Sequence, residues 1–333
     1  MEPTPELIKR IEELEKKFTA TGQDLNSYLD GLLLSNYSTY WDYVNVDKLL
    51  TLQTPKTDFP DELVFIIYHQ ITELYFRLCL HEFEQIANNG KIIAASGQDL
   101  GWNKTLDVNF FIERLTRVNR YFEALTKSFA IMVDGMEKEQ FRLFRMALLP
   151  ASGFQSAQYR KIEICATDFI RLVDKEERAR FENKNATVED MFHFIYWNKG
   201  ATELATGTKT LTLKQFEKKY STDFISLANN AKTKSMWAKY KSLSAEDQKN
   251  EHAIDALKQL DLNVNVFWPL VHYKSAARYL HSGESDIPAT GGTNWQKYLP
   301  PRYQKRIFYP ELWTAEEQEN WGKGWVEKEV LGK

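Results

Sequence analysis

Apolar positions in this chain recur at intervals of three and four over most of its length, the period of an α-helix with one buried face. In residues 5 to 18, Leu7, Ile8, Ile11, Leu14 and Phe18 form one stripe on an otherwise charged segment. "NYSTYWDYVNVDKLLTLQTPKTDFP" follows, with Pro55 and Pro60, and predicts short helix and loop. A long apolar helix is expected from Asp61 to about Asn88, and a second over 105 to 134, where Leu106, Phe110, Ile112, Leu115, Val118, Phe122, Leu125, Phe129 and Met132 keep the period for about eight turns. A short helix at 137 to 148 stops before Pro150. "ASGFQS" then interrupts the pattern, and another long helix is expected to about Phe181.

Thr187 with Asp190 three residues later reads as a helix start carrying Met191, Phe192, Ile195 and Trp197. Further helices are expected at 212 to 235 and, from a Ser244 cap, at 245 to 281, broken near Asp261 and kinked by Pro269. Residues 281 to 301 read as a long loop, a class that is often functional in compact domains. No alternation of period two is sustained over several segments. The expected fold is therefore all-α, a single helical-bundle domain over 1–333.

Composition narrows the function. With 43% apolar residues in 333, the chain has material for a substantial core. A net charge of −3 with interspersed signs argues against a nucleic-acid footprint or a polybasic membrane patch. Two cysteines, Cys79 and Cys165, stand in no CxxC or CxxCH arrangement, so structural zinc, covalent c-type haem and a disulfide scaffold are poorly supported. The N-terminus is acidic and amphipathic, unlike a signal peptide, and no run of about 18 apolar residues free of charge predicts a membrane span. These features predict a cytoplasmic protein with a small-molecule partner and no nucleic-acid or membrane partner.

Three places carry candidate chemistry. In "FIIYHQITELYF" (65–76), His69 shares a helix face with Phe65 and Glu73, which suits either an aromatic-walled pocket or a core imidazole satisfied by Glu73 or a carbonyl. His272 follows Pro269 by three residues in "FWPLVHYKSAARYL". The six histidines form no HxxxH or HExxH pair, so an all-protein zinc or di-iron site is not expected, whereas haem iron needs only one protein ligand. In "FRLFRMALLPASGFQ", Arg145 and Phe141 are four apart, as an arginine clamping a carboxylate beside an aromatic wall requires, although an arginine covering a helix with its stem looks the same.

"FIIYHQITEL", "FRLFRMALLPASGFQSAQYR", a late helix with a histidine, and then "ATGGT", in that order, resemble the tryptophan 2,3-dioxygenase family, as does "TYWDYVNVDKLLTLQTP" upstream. The resemblance covers about residues 37 to 180 and 262 to 311. It implies a b-type haem with His272 as axial iron ligand, and O2 as co-substrate. His69 would be the distal histidine that hydrogen-bonds the indole N–H, with Phe65 packed on the ring. Arg145 would take the substrate carboxylate, Phe141 would form a pocket wall, and Thr290, or Thr293 after it, would contact the amino-acid end. Ser152 and Gly153 would run beside the distal pocket.

Tyr40 and Tyr43 match tyrosines that close a neighbouring subunit's pocket in a homotetramer. Residues 1–60 would then be an inter-subunit segment, with the helix at 5 to 18 exchanged between subunits, and 61–333 the haem-binding core. The implied activity is cleavage of the indole C2–C3 bond of L-tryptophan to N-formylkynurenine. The alternatives are a superfamily haem enzyme with a different outcome on a tryptophan derivative, and a non-catalytic helical haem- or indole-binding protein.

Overall fold

The computed structural model describes residues 2–35, 37–182, 184–202, 208–280 and 299–323. The chain divides into two compact units, 1–54 and 55–333. The first holds α1 (Pro5–Ala20), α2 (Leu25–Leu34), α3 (Tyr40–Val44) and α4 (Val46–Leu49). Thr4 caps α1 by accepting from Leu7 N, and Asp24 caps α2. Leu7, Ile8, Ile11 and Leu14 of the predicted stripe are exposed, and among the described residues of this unit Leu25 alone is buried.

The second unit is built on α5 (Pro60–Ala87) and α6 (Val108–Ser128). Pro60 at the first helical position, with Asp61 and Glu62 in the first turn, starts α5. Asn89 and Gly90, both at positive φ, end it. Gly90 is required twice over: φ is +87°, and an added Cβ would lie 2.8 Å from the Phe110 ring. Asp107 caps α6 through Phe110 N at 2.9 Å. Phe111, Leu115, Val118, Phe122 and Leu125, all fully buried, form its inner stripe and face Phe76, Cys79, Phe83 and Ile86 of α5. Buried Glu82 pins the pair, accepting from Arg114 Nη1 at 3.1 Å and Tyr121 Oη at 3.2 Å. By length and composition α5 is the one described helix that could cross a membrane, a test that core helices also pass; here α6 and α9 pack on it.

Around this pair lie α7 (Ala130–Asp134), α8 (Lys138–Phe144), α9 (Ala157–Ala166), α10 (Val188–Phe192), α11 (Tyr196–Gly200), α12 (Leu211–Lys234), α13 (Met236–Lys241), α14 (Glu251–Leu262) and α15 (Trp268–Leu280). The all-α expectation holds, with one exception among the described residues: an antiparallel hairpin, β1 (Lys91–Ile93) and β2 (Asp99–Trp102), too short to show a period of two.

Several helix boundaries differ from expectation. The segment at 105 to 134 divides at Phe129 into α6 and α7. The helix expected to reach Phe181 stops at Ala166, because Thr167 is extended and gives its hydroxyl to Phe308 O at 2.6 Å. Ser244 caps only a 3-10 turn, Asp247–Lys249, and α14 starts six residues later than predicted under an Asn250 cap. Between α14 and α15 the helix widens into one π-turn, Asn263–Phe267, ending two residues before Pro269.

The returning segment 306–313 is fastened to this framework at buried polar groups. Asp261 accepts from Phe308 N at 3.0 Å, Tyr309 N at 3.2 Å, Trp313 Nε1 at 3.0 Å and Asn265 Nδ2 at 2.7 Å. Arg306 meets Glu163 and the Tyr196 hydroxyl, with Arg160 on the other side at 2.7 Å from Glu163. Asp261→Asn places an amide N–H against donors and should lower unfolding free energy by about 2–4 kcal/mol in urea titration. A change below roughly 0.5 kcal/mol would show that these donors do not depend on the carboxylate.

Candidate active site

His69 lies in the middle of α5. Its Nδ1 is 2.7 Å from Phe65 O one turn back, and the Phe65 ring stacks on the imidazole with centroids 4.1 Å apart. Since a carbonyl only accepts, Nδ1 carries the proton and Nε2 keeps its lone pair. Glu73, the other partner offered by the sequence, instead accepts from Gln158 Nε2 of α9 at 2.8 Å. The ring has open surface, yet the protein around it lowers its pKa by desolvation.

His272 repeats the arrangement on α15. Its Nδ1 is 2.8 Å from Trp268 O, again one turn back, and it is flanked by the Phe129 and Trp268 rings, each at 4.5 Å. Burial pushes its pKa down to about 4; the Trp268 carbonyl opposes the shift, and His69 adds to it. The two histidines are thus electrostatic neighbours although 203 positions separate them in sequence. Among the described residues neither Nε2 makes a hydrogen bond. Each neutral imidazole therefore keeps its Nε2 lone pair beside aromatic rings, Phe65 for His69 and Phe129 and Trp268 for His272.

Phe65 links this pair to α8: its ring is 6.2 Å from Phe141 and 5.9 Å from Phe144. Arg145, buried in the 3-10 turn that continues α8, has its pKa lowered by desolvation and by Arg142. Even lowered it is a cation, since guanidinium loses no proton at ordinary pH. Ser152 N donates to Gln155 Oε1 at 3.1 Å, and Gln155 Nε2 reaches Thr212 O at 3.2 Å, so the Ser152–Gly153 bend is tied to α12. A Cβ built on Gly153 meets no atom within 4 Å, which leaves room beside that backbone.

Ring contacts thus join Phe65, His69 and Phe141, His272 is coupled to His69 electrostatically, and Arg145 lies one turn beyond Phe141. Tyr40 and Tyr43 are exposed on α3 of the other unit. Thr290 and Thr293 lie outside the described residues. Sequence reading missed Phe129, Trp268, Phe144 and Tyr279, whose ring is 4.6 Å from Phe141. Only Trp268, four residues before His272, carried a local signal. Among the described residues no group of three His, Cys, Asp or Glu is placed to hold a metal ion. A groove of about 680 Å3 lined by Asn119, Glu123, His252, Asp255 and Trp313 lies elsewhere and touches neither histidine.

A model of the tryptophan 2,3-dioxygenase family matches residues 31–289, more than three quarters of the chain. This chain belongs to the tryptophan 2,3-dioxygenase family. Curated relatives of that name include proteins from Ruegeria sp. (strain TM1040), 38% identical over 125 residues (38% of this chain, 40% of the relative), and from Herpetosiphon aurantiacus, 38% identical over 135 residues (39% and 45%). One from Pseudomonas fluorescens is 37% identical over 125 residues (38% and 39%). The aligned stretches span less than half the length of these relatives.

In the ligand-free protein His272 should remain neutral down to about pH 4, read from the pH dependence of its imidazole NMR signals. Because the folded pKa lies below the unfolded value, this burial costs stability as pH falls from about 6.5 to about 4, and not above. Titration near pH 6.5 would contradict the buried, neutral assignment.

Proposed function

We propose that this protein is a haem-dependent tryptophan 2,3-dioxygenase, cleaving the indole C2–C3 bond of L-tryptophan with O2 to give N-formylkynurenine. The observation that carries the reading is the pair of neutral, aromatic-flanked histidines, His69 and His272, in a chain of this family. The residues present suit haem: a lone-pair nitrogen on His272, aromatic faces around it, and open space at Gly153. When bound, haem iron would supply the oxygen chemistry that no protein side chain provides.

The chain's own contribution is positioning and proton placement. His272 would hold the iron through Nε2, with Nδ1–H fixed on Trp268 O so that the ring keeps one tautomer. Arg145 would pair with the substrate carboxylate; in a buried setting that charge-assisted bond is stronger than in water. Phe65 and Phe141 would wall the indole, and Thr290 or Thr293 would meet the amino-acid end. His69 would accept the indole N–H at Nε2, which sets the ring's orientation without requiring full proton removal. Ser152 and Gly153 would leave room on the distal side.

We further infer a homotetramer in which Tyr40 and Tyr43 close a neighbour's pocket. Supporting this, the unit that holds them exposes Leu7, Ile8, Ile11, Leu14 and Trp41, apolar side chains that a partner subunit would cover.

The direct test is turnover of L-tryptophan by the purified, reduced protein under 18O2. The reading requires N-formylkynurenine carrying two labelled oxygens; another product, or none, overturns it. His272→Ala should abolish stoichiometric haem, checked by pyridine haemochrome assay against protein concentration, and an undiminished load would remove His272 as the ligand. Arg145→Ala should raise KM for tryptophan by roughly 100-fold, near 2.7 kcal/mol. An unchanged KM would mean that another cation holds the carboxylate.

A further inference from the structure

The inner face of α14 is marked by Ala253, Leu257 and Leu260, continued by Val264, all fully buried. A straight α-helix would carry that face through positions 267, 271, 274 and 278, at alternating steps of three and four. The residues of α15 that meet the end of α6 and α7 are Trp268, His272, Ser275 and Tyr279. Trp268 and His272 meet Phe129, Ser275 Oγ donates to Met132 O at 3.3 Å, and Tyr279 Oη reaches Val133 O at 3.2 Å. Every one is displaced by a single position. At about 100° per residue, an unbroken helix would aim Val271 where His272 points.

The extra residue is taken up in the π-turn Asn263–Phe267. Trp268 N–H donates to Asn263 O, five residues back instead of four. Pro269 favours this widening, since it offers no N–H to the carbonyl of Asn265 and its ring crowds the preceding turn. The turn is also held from outside. Val264 O, which Trp268 N–H would occupy in a plain helix, accepts from the buried Tyr159 hydroxyl of α9 at 2.8 Å. Asn263 Nδ2 donates to Asn119 Oδ1 of α6 at 3.1 Å, Gln259 Nε2 donates to Asn263 Oδ1 at 3.2 Å, and Asn119 Nδ2 closes onto Ala256 O at 2.9 Å. These groups are buried or nearly so, and their hydrogen bonds converge on the wide turn.

We propose that the Asn263–Phe267 π-turn, held open by Asn119, Asn263 and Tyr159, is the positioning device that rotates His272 into the site, one helical position away from where the sequence of α14 would otherwise put it. The proposal rests on the reading of His272 as the haem ligand. A π-turn is one residue inserted into an α-helix, so removing one residue from it restores the plain turn and leaves everything beyond in phase.

A chain lacking Asn265 should therefore fold, bind one haem and keep the ferrous iron–histidine stretching band of the parent in resonance Raman spectra. Inserting one alanine between Leu270 and Val271 should swing His272 about 100° aside, remove that band, and weaken haem binding in Soret titrations by about 100-fold. His272→Ala serves as the reference for a protein without the ligand. If the Asn265 deletion fails to fold or lacks the band, or if the insertion retains it, the phase proposal is overturned. If His272→Ala itself keeps the band, the ligand assignment fails instead.

Discussion

A neutral imidazole has one N–H, and the acceptor that takes it fixes which nitrogen keeps the lone pair. His69 and His272 meet this constraint in the same way, each with the carbonyl one turn upstream, at 2.7 and 2.8 Å. The chemistry of the site depends on that choice, because it turns both Nε2 lone pairs outward. It also makes helix phase decisive: a histidine tied to its own helix points wherever that helix face points.

The surrounding structure is arranged to hold those faces. α5 and α6 are locked by an apolar seam and by Glu82, which fixes the direction of His69. α15 is aimed by the wide turn and braced by Tyr279 against Val133 O and Met136 O. Asp261, at the end of α14, gathers the N–H groups of Phe308, Tyr309 and the Trp313 indole, so the start of the wide turn is anchored to the returning chain. Burial pushes the Asp261 carboxyl up to about 6, against the pull of these donors. Among the described residues every hydrogen bond to its oxygens comes from an N–H donor, the geometry of a carboxylate.

Much of this was legible in the sequence because period and proline placement act locally. The spines α5 and α6, the Thr187 cap with Asp190, and helix 211–234 follow from spacing and capping alone. The His69 environment was half legible: the Phe65 stack lies one turn away, but the choice between Glu73 and a carbonyl depended on Gln158, far along the chain. The end of α9 at Ala166 was not legible, since its stop is set by Thr167 bonding to Phe308, 141 positions on. The π-turn was invisible for the same reason. Pro269 announced a disturbance, whereas Tyr159 and Asn119, which decide its form, sit on other helices. Phe129, the ring against His272, lies where the period alone predicted unbroken helix.

The central claim, that these two histidines face a haem, is tested most directly by titrating the purified ligand-free protein with haemin and recording the visible spectrum. The account predicts a Soret band that saturates at one haem per chain and, after reduction, the spectrum of five-coordinate ferrous haem bound through a single histidine. Absence of a saturable band, or a ferrous spectrum with both axial positions filled by protein, would contradict it.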